Sequence, residues 1–401
     1  MNTTPPTSTG RFNGPLVALG LGAFGIGTTE FSPMGLLPVI ADGVSVSIPT
    51  AGTLVTAYAI GVMIGAPVIT LLLSRFGKRT ALMLLMGLFI LGNLLSALAP
   101  GYPTLLAARV ITSLSQGAFF GFGVVVATQV VPKEKQASAV ATMFMGLSIA
   151  NIGGVPAAAW IGQQVGWRMP FAAIAALGVL ALIALALALP HGERGQRPNV
   201  KRELRALMQA EVLIAMSMTV LFAAAFFTLY TYVAPLLKVL TGASGNFVTF
   251  ALMLIGLGLT AGNWLGGRLA DWSLDGGTAI GLAALGGTLL AVPLMTLTHV
   301  GAAVILMLWA IAAFIVVPPL QIRAMRAASD APSLAAAINI AGFNLGNAIG
   351  ASVGGGALAL GFGYGAVPVA GGVLALIALA ILWLSRGRAA STAAPAADTA
   401  A

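Results

Sequence analysis

What most limits this chain is the length of its uncharged apolar runs. Residues 12–29, 43–74, 80–108, 110–132, 136–167, 169–192, 212–237, 239–267, 276–322 and 331–385 contain no Asp, Glu, Lys or Arg. A membrane-crossing helix needs about 20 mostly apolar residues. A soluble domain carries roughly 25% charged residues, against 7% here, and 59% of this chain is hydrophobic. It has no means of covering itself with a water-facing surface, and reads as an all-α membrane protein.

The two longest runs exceed one crossing, and Thr298–Gly301 and Gly361–Gly365 supply turns within them. That predicts twelve spans, near 15–40, 51–74, 80–99, 103–131, 137–163, 167–190, 212–237, 246–269, 277–298, 301–322, 332–360 and 364–385. They divide into two six-helix bundles, 14–190 and 212–386. A polar linker at 191–211 joins the bundles, and a segment at 1–13 and a low-complexity, disordered tail at 387–401 flank them. "NVKRELRALMQAE" within the linker suits either a surface helix against lipid phosphates or a solvated connection. The halves echo each other, with Ser74-Arg75-Phe76-Gly77-Lys78-Arg79 after span two and Gly267-Arg268-Leu269-Ala270-Asp271 at the same point of the second half. Six-plus-six repeats suit carriers that rock two bundles about a central site.

The net charge of +9 would suggest nucleic acid in a soluble protein. Here its placement matters more. With both termini cytoplasmic, sixteen basic residues face inward: Arg11, Arg75, Lys78, Arg79, Lys133, Lys135, Arg194, Arg197, Lys201, Arg202, Arg205, Arg268, Arg323, Arg326, Arg386 and Arg388. Only Arg168 and Lys238 fall in external loops, a positive-inside bias that fixes orientation. No nucleic-acid partner is implied. The absence of cysteine excludes disulfide and thiol chemistry. The first span lacks an A-x-A site and reads as an uncleaved anchor.

Two full charges fall inside spans, Glu30 in span one and Arg109 in span four. At about 1.5 Å per residue, Glu30 sits some 5 Å outside its span's midpoint and Arg109 about 12 Å outside its own. A long arginine spans that gap, so the pair is expected to share a cavity. A nearby cation and dehydration act on a carboxylate in opposite senses. A site alternately dry and wet would therefore take up and release a proton. The competing reading is a carboxyl group that only bonds neighbouring helices.

Arg109, Ser113, Gln116 and Phe120 lie on one helical face, a stripe fit to line a cavity or to bond other helices. Asn339, Asn344 and Asn347 in span eleven, with Tyr58 and Tyr230, are further cavity candidates; the amides serve equally well as interhelical glue. Phe226, Phe227 and Tyr232 add aromatic surface. Gly153, Gly154 and Pro156 in span five suit a kinked seam, moving or static. His191 and His299 lie on opposite membrane sides, so no metal site is expected, and no phosphate-binding loop sequence occurs. No cofactor is expected, and any pumping must draw on an ion gradient such as that of protons.

"TTEFSPMGLLP" (28–38), "SRFGKR" (74–79), "RVITSLSQGAFFG" (109–121), "NIGGVPAAAWIGQQVGWRMPF" (151–171) and "NIAGFNLGNAIGA" (339–351) carry a resemblance. Over about residues 14–385 the chain resembles the twelve-span drug:proton antiporters of the major facilitator superfamily. It looks most like arabinose-efflux, sugar-efflux and chloramphenicol-export permeases. The resemblance implies proton relay by Arg109, a conformational seam at Gly153, Gly154 and Pro156, and a cytoplasmic gate at Arg75, Gly77, Lys78 and Arg79. Thr70 and Ser74 stand where the loop motif has glycine and aspartate, while Asp271 keeps the aspartate in the second half. Gln116 stands where relatives often have histidine, which puts more weight on Glu30.

The function expected from all this is secondary active export of a drug-like or sugar-like molecule in exchange for protons. A monomer in a bacterial inner membrane would perform it. An importer or facilitator on the same fold, and more remotely a membrane enzyme or receptor, remain open.

Overall fold

The structure, a computed structural model, describes residues 13–189, 210–327 and 332–392. Its helices fall where the charge-free runs place them. The first half holds α1 (Gly14–Gly43), α2 (Ile48–Leu73), α3 (Lys78–Ala97), α4 (Tyr102–Gln129), α5 (Gln136–Ile149), α6 (Val155–Val165) and α7 (Arg168–Ala188). The second holds α8 (Ala210–Tyr230), α9 (Val233–Leu240), α10 (Gly245–Trp272), α11 (Leu274–Met295), α12 (His299–Ile315), α13 (Val317–Ala327), α14 (Pro332–Ala359) and α15 (Ala366–Thr392). Pairing α5 with α6, α8 with α9 and α12 with α13 gives twelve passes. Among the described residues, ten of them are long and apolar enough to cross a membrane. The other two long helices, α1 and α14, carry the polar residues Thr28, Thr29, Glu30 and Ser32, and Asn339, Asn344 and Asn347.

Helix starts follow local chemistry. Ser47, Ser244 and Thr298 cap α2, α10 and α12 by accepting the N–H of Thr50, Phe247 and Gly301. The breaks follow proline, which lacks an N–H and cannot continue the ladder. Pro235 divides span seven at Thr231–Tyr232, and Pro318 with Pro319 divides span ten at Val316. Span five widens into a π turn over Ala150–Gly154, just ahead of Pro156. The alanine-rich end of α15 stays helical to Thr392, into the stretch read as a tail, because alanine is the best helix former. Residues 1–12 of the N-terminal segment, 191–209 of the linker and those after 392 lie outside the described residues.

Within the first bundle α1 packs on α5, α6 and α7, α2 on α4, and α3 on α4 and α7. Within the second, α8 packs on α14 and α15, α10 on α12, and α11 on α12 and α15. The bundles meet along α2–α14 and where α10 lies against α6 and the π turn. Ile60, Ile64, Val68 and Leu72 are exposed along one flank of α2, as an acyl-facing surface requires.

The turns alternate between two faces, here called the Gly43 face and the Gly77 face after their first turns. Contacts bridging the bundles run from mid-depth to the Gly43 face. Phe31 meets Phe227 and Tyr230 at mid-depth, and Tyr230 reaches Asn151. Nearer the Gly43 face Thr56 bonds Ser352, and the Tyr232 ring packs on Gly52 of α2 and on Gly354 and Gly355 of α14. The Tyr232 hydroxyl donates to the Ala351 carbonyl at 2.8 Å. Leu37, Ala41, Ala51, Tyr232 and Val367 close this end as one apolar cluster.

Candidate functional site

Both intraspan charges are buried, Glu30 with 5% of its surface exposed and Arg109 with 1%. They do not pair directly. The Gln116 amide nitrogen donates to Glu30 Oε2 at 2.9 Å, and the Tyr58 hydroxyl donates to Gln116 Oε1 at 2.7 Å. The Arg109 guanidinium lies 4.1 Å from the centre of the Tyr58 ring and 5.8 Å from that of Phe171. Its Nη1 donates to the Thr29 hydroxyl at 3.2 Å, and that hydroxyl donates to Asn93 Oδ1 at 2.6 Å. Arg109 Nε and Nη2 are buried without an acceptor. An ordered polar chain thus runs from Asn93 through Thr29, Arg109, Tyr58 and Gln116 to Glu30.

Local sequence explains how α1 takes part. Glu30 and Thr29 sit one turn before Pro33, whose ring nitrogen cannot donate to the Thr29 carbonyl. That frees a backbone acceptor beside the network. Pro38 repeats the effect for Met34.

Of the residues read as cavity-lining, Tyr58, Gln116 and Tyr230 gather around Glu30. Tyr230 stands with its ring 5.9 Å from that of the neighbouring Phe31. The rest engage elsewhere. Ser113 donates to its own helix at Val110 and packs on Gly61. Phe120 stacks on Phe144 at 5.2 Å, inside the first bundle. Asn339 accepts from Thr219 at 2.9 Å, and Asn344 donates to Ile340 of its own helix, leaving Asn344 Oδ1 buried without a donor.

The seam residues divide similarly. Gly154 faces Thr28 and Phe24 of α1, whereas Gly153 faces open space. The close approach of the bundles belongs to Gly256 of α10, against the backbone of Asn151 and Ile152. At the Gly77 face, Gly77 caps α3, Arg75 lies over Phe76, and Arg79 donates to the Ala186 carbonyl at the end of α7 at 2.6 Å. Asp271 is exposed, and among the described residues here Arg323 pairs with Asp275.

Sequence reasoning did not single out Thr29, Asn93, Asn151, Phe31 or Trp309. A polar residue in an apolar run was the available signal for the first three. Phe31, Phe226, Phe227, Tyr230, Trp309 and Phe343 form one aromatic cluster at mid-depth. Two surface cavities, of about 390 Å³ at the Gly43 face around Gln163, Lys238 and Asn246 and about 270 Å³ along Ile69, Leu72 and Leu84, do not reach Glu30.

The Major Facilitator Superfamily model matches residues 19–341. The chain belongs to the Major Facilitator Superfamily. Its relatives include the inner membrane transport protein YdhP of Escherichia coli K12, 57% identical over 94% of this chain and 96% of YdhP. The putative transporter AraJ of the same organism is 31% identical over 92% and 94%. A chloramphenicol resistance protein of Streptomyces lividans is 33% identical over 64% and 67%. Among solved structures, a bacterial homologue of the lysosomal transporter Spinster superposes with a TM-score of 0.76 at 17% identity, covering 95% and 98% of the two chains. The xylose transporter XylE of E. coli gives 0.71 at 15%, covering 92% and 97%. This superfamily member is therefore a multi-pass membrane transporter with the superfamily's two-bundle fold.

Proposed function

We propose that this transporter carries small organic molecules out of the cytoplasm in exchange for protons, by alternating access. Glu30 is the group that exchanges protons against substrate, and Arg109 acts on its charge from behind Tyr58. The single observation that carries this reading is a carboxyl group 5% exposed, held by one amide donor and joined to no cation by an ion pair. A buried carboxylate with so few partners is costly. Its charge therefore depends on whether water reaches it, and the bundle motion controls that access.

The basic bias puts the Gly77 face in the cytoplasm. The described state, sealed from mid-depth to the Gly43 face, is then the one closed to the outside. Kinship with a chloramphenicol resistance protein supports the outward direction.

Inverted membrane vesicles with an acid interior and radiolabelled chloramphenicol test the proposal. The wild type is expected to accumulate the label. Glu30→Gln is expected to accumulate none, yet still to exchange label down its own gradient. Accumulation by the variant equal to wild type removes Glu30 from the mechanism. Accumulation only in right-side-out vesicles makes the protein an importer.

A further inference from the structure

On the outside of the first bundle, away from the polar chain, a cavity of about 270 Å³ opens between α2 and α3. Ile69, Leu72 and Leu73 wall it on one side and Leu84, Leu85 and Leu88 on the other. Its lip is exposed, Leu72 by 54% and Leu84 by 48%, while Leu85 is buried at its base. Leu73 lies two residues before Arg75, and Leu88 ten after Lys78. At about 1.5 Å per residue, the groove therefore runs from about 3 Å to about 15 Å beneath the α2–α3 turn.

That turn is cationic, and its charge is unanswered. Residues 43–133 contain no Asp or Glu. Among the described residues neither Arg75 nor Lys78 forms an ion pair. Arg75 is exposed and lies 5.0 Å from the centre of the Phe76 ring, while Arg79 reaches the other way, to the Ala186 carbonyl. Lys78 opens α3, whose cap Gly77 has no side chain to accept from the first N–H groups. Cations at a helix N-terminus oppose its dipole, and an anion placed beside them relieves both.

We infer that an anionic phospholipid binds here as a specific ligand of this protein. One acyl chain lies in the α2–α3 groove, and the phosphate sits at Arg75 and Lys78. The inference goes beyond the carrier reading and needs no part of it. Six aliphatic side chains give water no hydrogen-bond partner in the groove, so hydrocarbon is its matching occupant. Groove and cations belong to the same two helices, and a chain with an anion at its head satisfies both at once. Arginine meets a phosphate through paired N–H groups, and lysine meets it as a point charge. The second chain has a track along the exposed α2 flank of Ile64, Val68 and Leu72. A lipid that ties α2 to α3 also stiffens the helix through which the first bundle meets α14.

Lipid titrations of the delipidated full-length protein, read by native mass spectrometry, test this. The probes are dioleoyl phosphatidylglycerol, dioleoyl phosphatidylcholine (the same chains without net charge), glycerophosphoglycerol (the headgroup without chains) and oleate. Phosphatidylglycerol is expected to bind at least tenfold more tightly than phosphatidylcholine, since each cation near the phosphate contributes about a factor of five. Arg75→Gln with Lys78→Gln is expected to erase that preference. Arg268→Gln, which removes a cation at the matching turn of the second half, is expected to leave it intact. Leu84→Phe fills the groove and keeps the charges, and is expected to weaken both phospholipids several-fold. Leu72→Phe on the facing wall makes the same test should Leu84→Phe fail to fold, and thermal midpoints report folding of every variant.

Equal affinity for the two phospholipids overturns the inference, as does a preference that survives in the folded double variant. A preference lost equally in Arg268→Gln would mean that the overall field attracts lipid without a site. Glycerophosphoglycerol binding as tightly as the phospholipid, or unchanged affinity in the folded groove variants, removes the groove. Oleate binding as tightly removes the phospholipid. None of these outcomes bears on Glu30.

Discussion

A guanidinium costs about 2.5–3.5 kcal/mol at the centre of a membrane helix on insertion scales, and less towards its ends, where Arg109 sits. Arg109 offsets that cost with the face of Tyr58 and the hydroxyl of Thr29, leaving two of its nitrogens unpaired. Lysine keeps the charge but has no planar face to lay on a ring. Arg109→Lys is therefore expected to insert and fold, with uptake into inverted vesicles reduced about tenfold, the worth of a desolvated cation–π contact. Uptake equal to wild type would mean the charge alone suffices. Glu30 and Arg109 were legible because a lone charge in an apolar run has few innocent explanations. Thr29 and Asn93 were not, since a neutral hydroxyl or amide in a membrane helix looks the same whether it bonds a neighbour or serves an arginine.

Span five shows how far glycine and proline can be read. "NIGGVP" announced a kink, and the structure supplies a π turn followed by Pro156. Which glycine the partner helix needs was beyond the sequence, because that depends on the facing backbone. Gly153 faces open space, and Gly153→Ala is expected to leave transport and the thermal midpoint unchanged. A Cβ on Gly256 would stand 2.7 Å from Ile152 N, where only backbone could yield. Gly256→Ala is expected to destabilise by about 1–3 kcal/mol, the cost of overpacking, and to slow transport sharply. Thermal unfolding and vesicle uptake of both variants check the contrast. The breaks after Tyr230 and Ile315 follow from Pro235, Pro318 and Pro319, a signal present in the sequence but ambiguous where prolines only kink.

Across the whole molecule the twelve passes were legible from the charge-free runs and the turn signals that divide the two longest, because hydrocarbon leaves backbone groups no choice but helix. Which face is closed was not legible, since the states of a carrier differ by only a few kcal/mol. The closed end offers a test. Thr56 Oγ1 and Ser352 Oγ lie 3.4 Å apart across the bundles, and the chain has no cysteine of its own. Thr56→Cys with Ser352→Cys is expected to cross-link on oxidation and to stop transport, with recovery on reduction. Transport that continues through a formed cross-link would mean the bundles do not separate there.

The most direct measurement of the central claim is proton release by purified protein on saturation with chloramphenicol, followed with a pH indicator in weak buffer. The account requires about one proton per bound molecule from wild type and none from Glu30→Gln at equal occupancy. Equal release by both proteins would contradict it, and would place the exchanging group elsewhere in the chain.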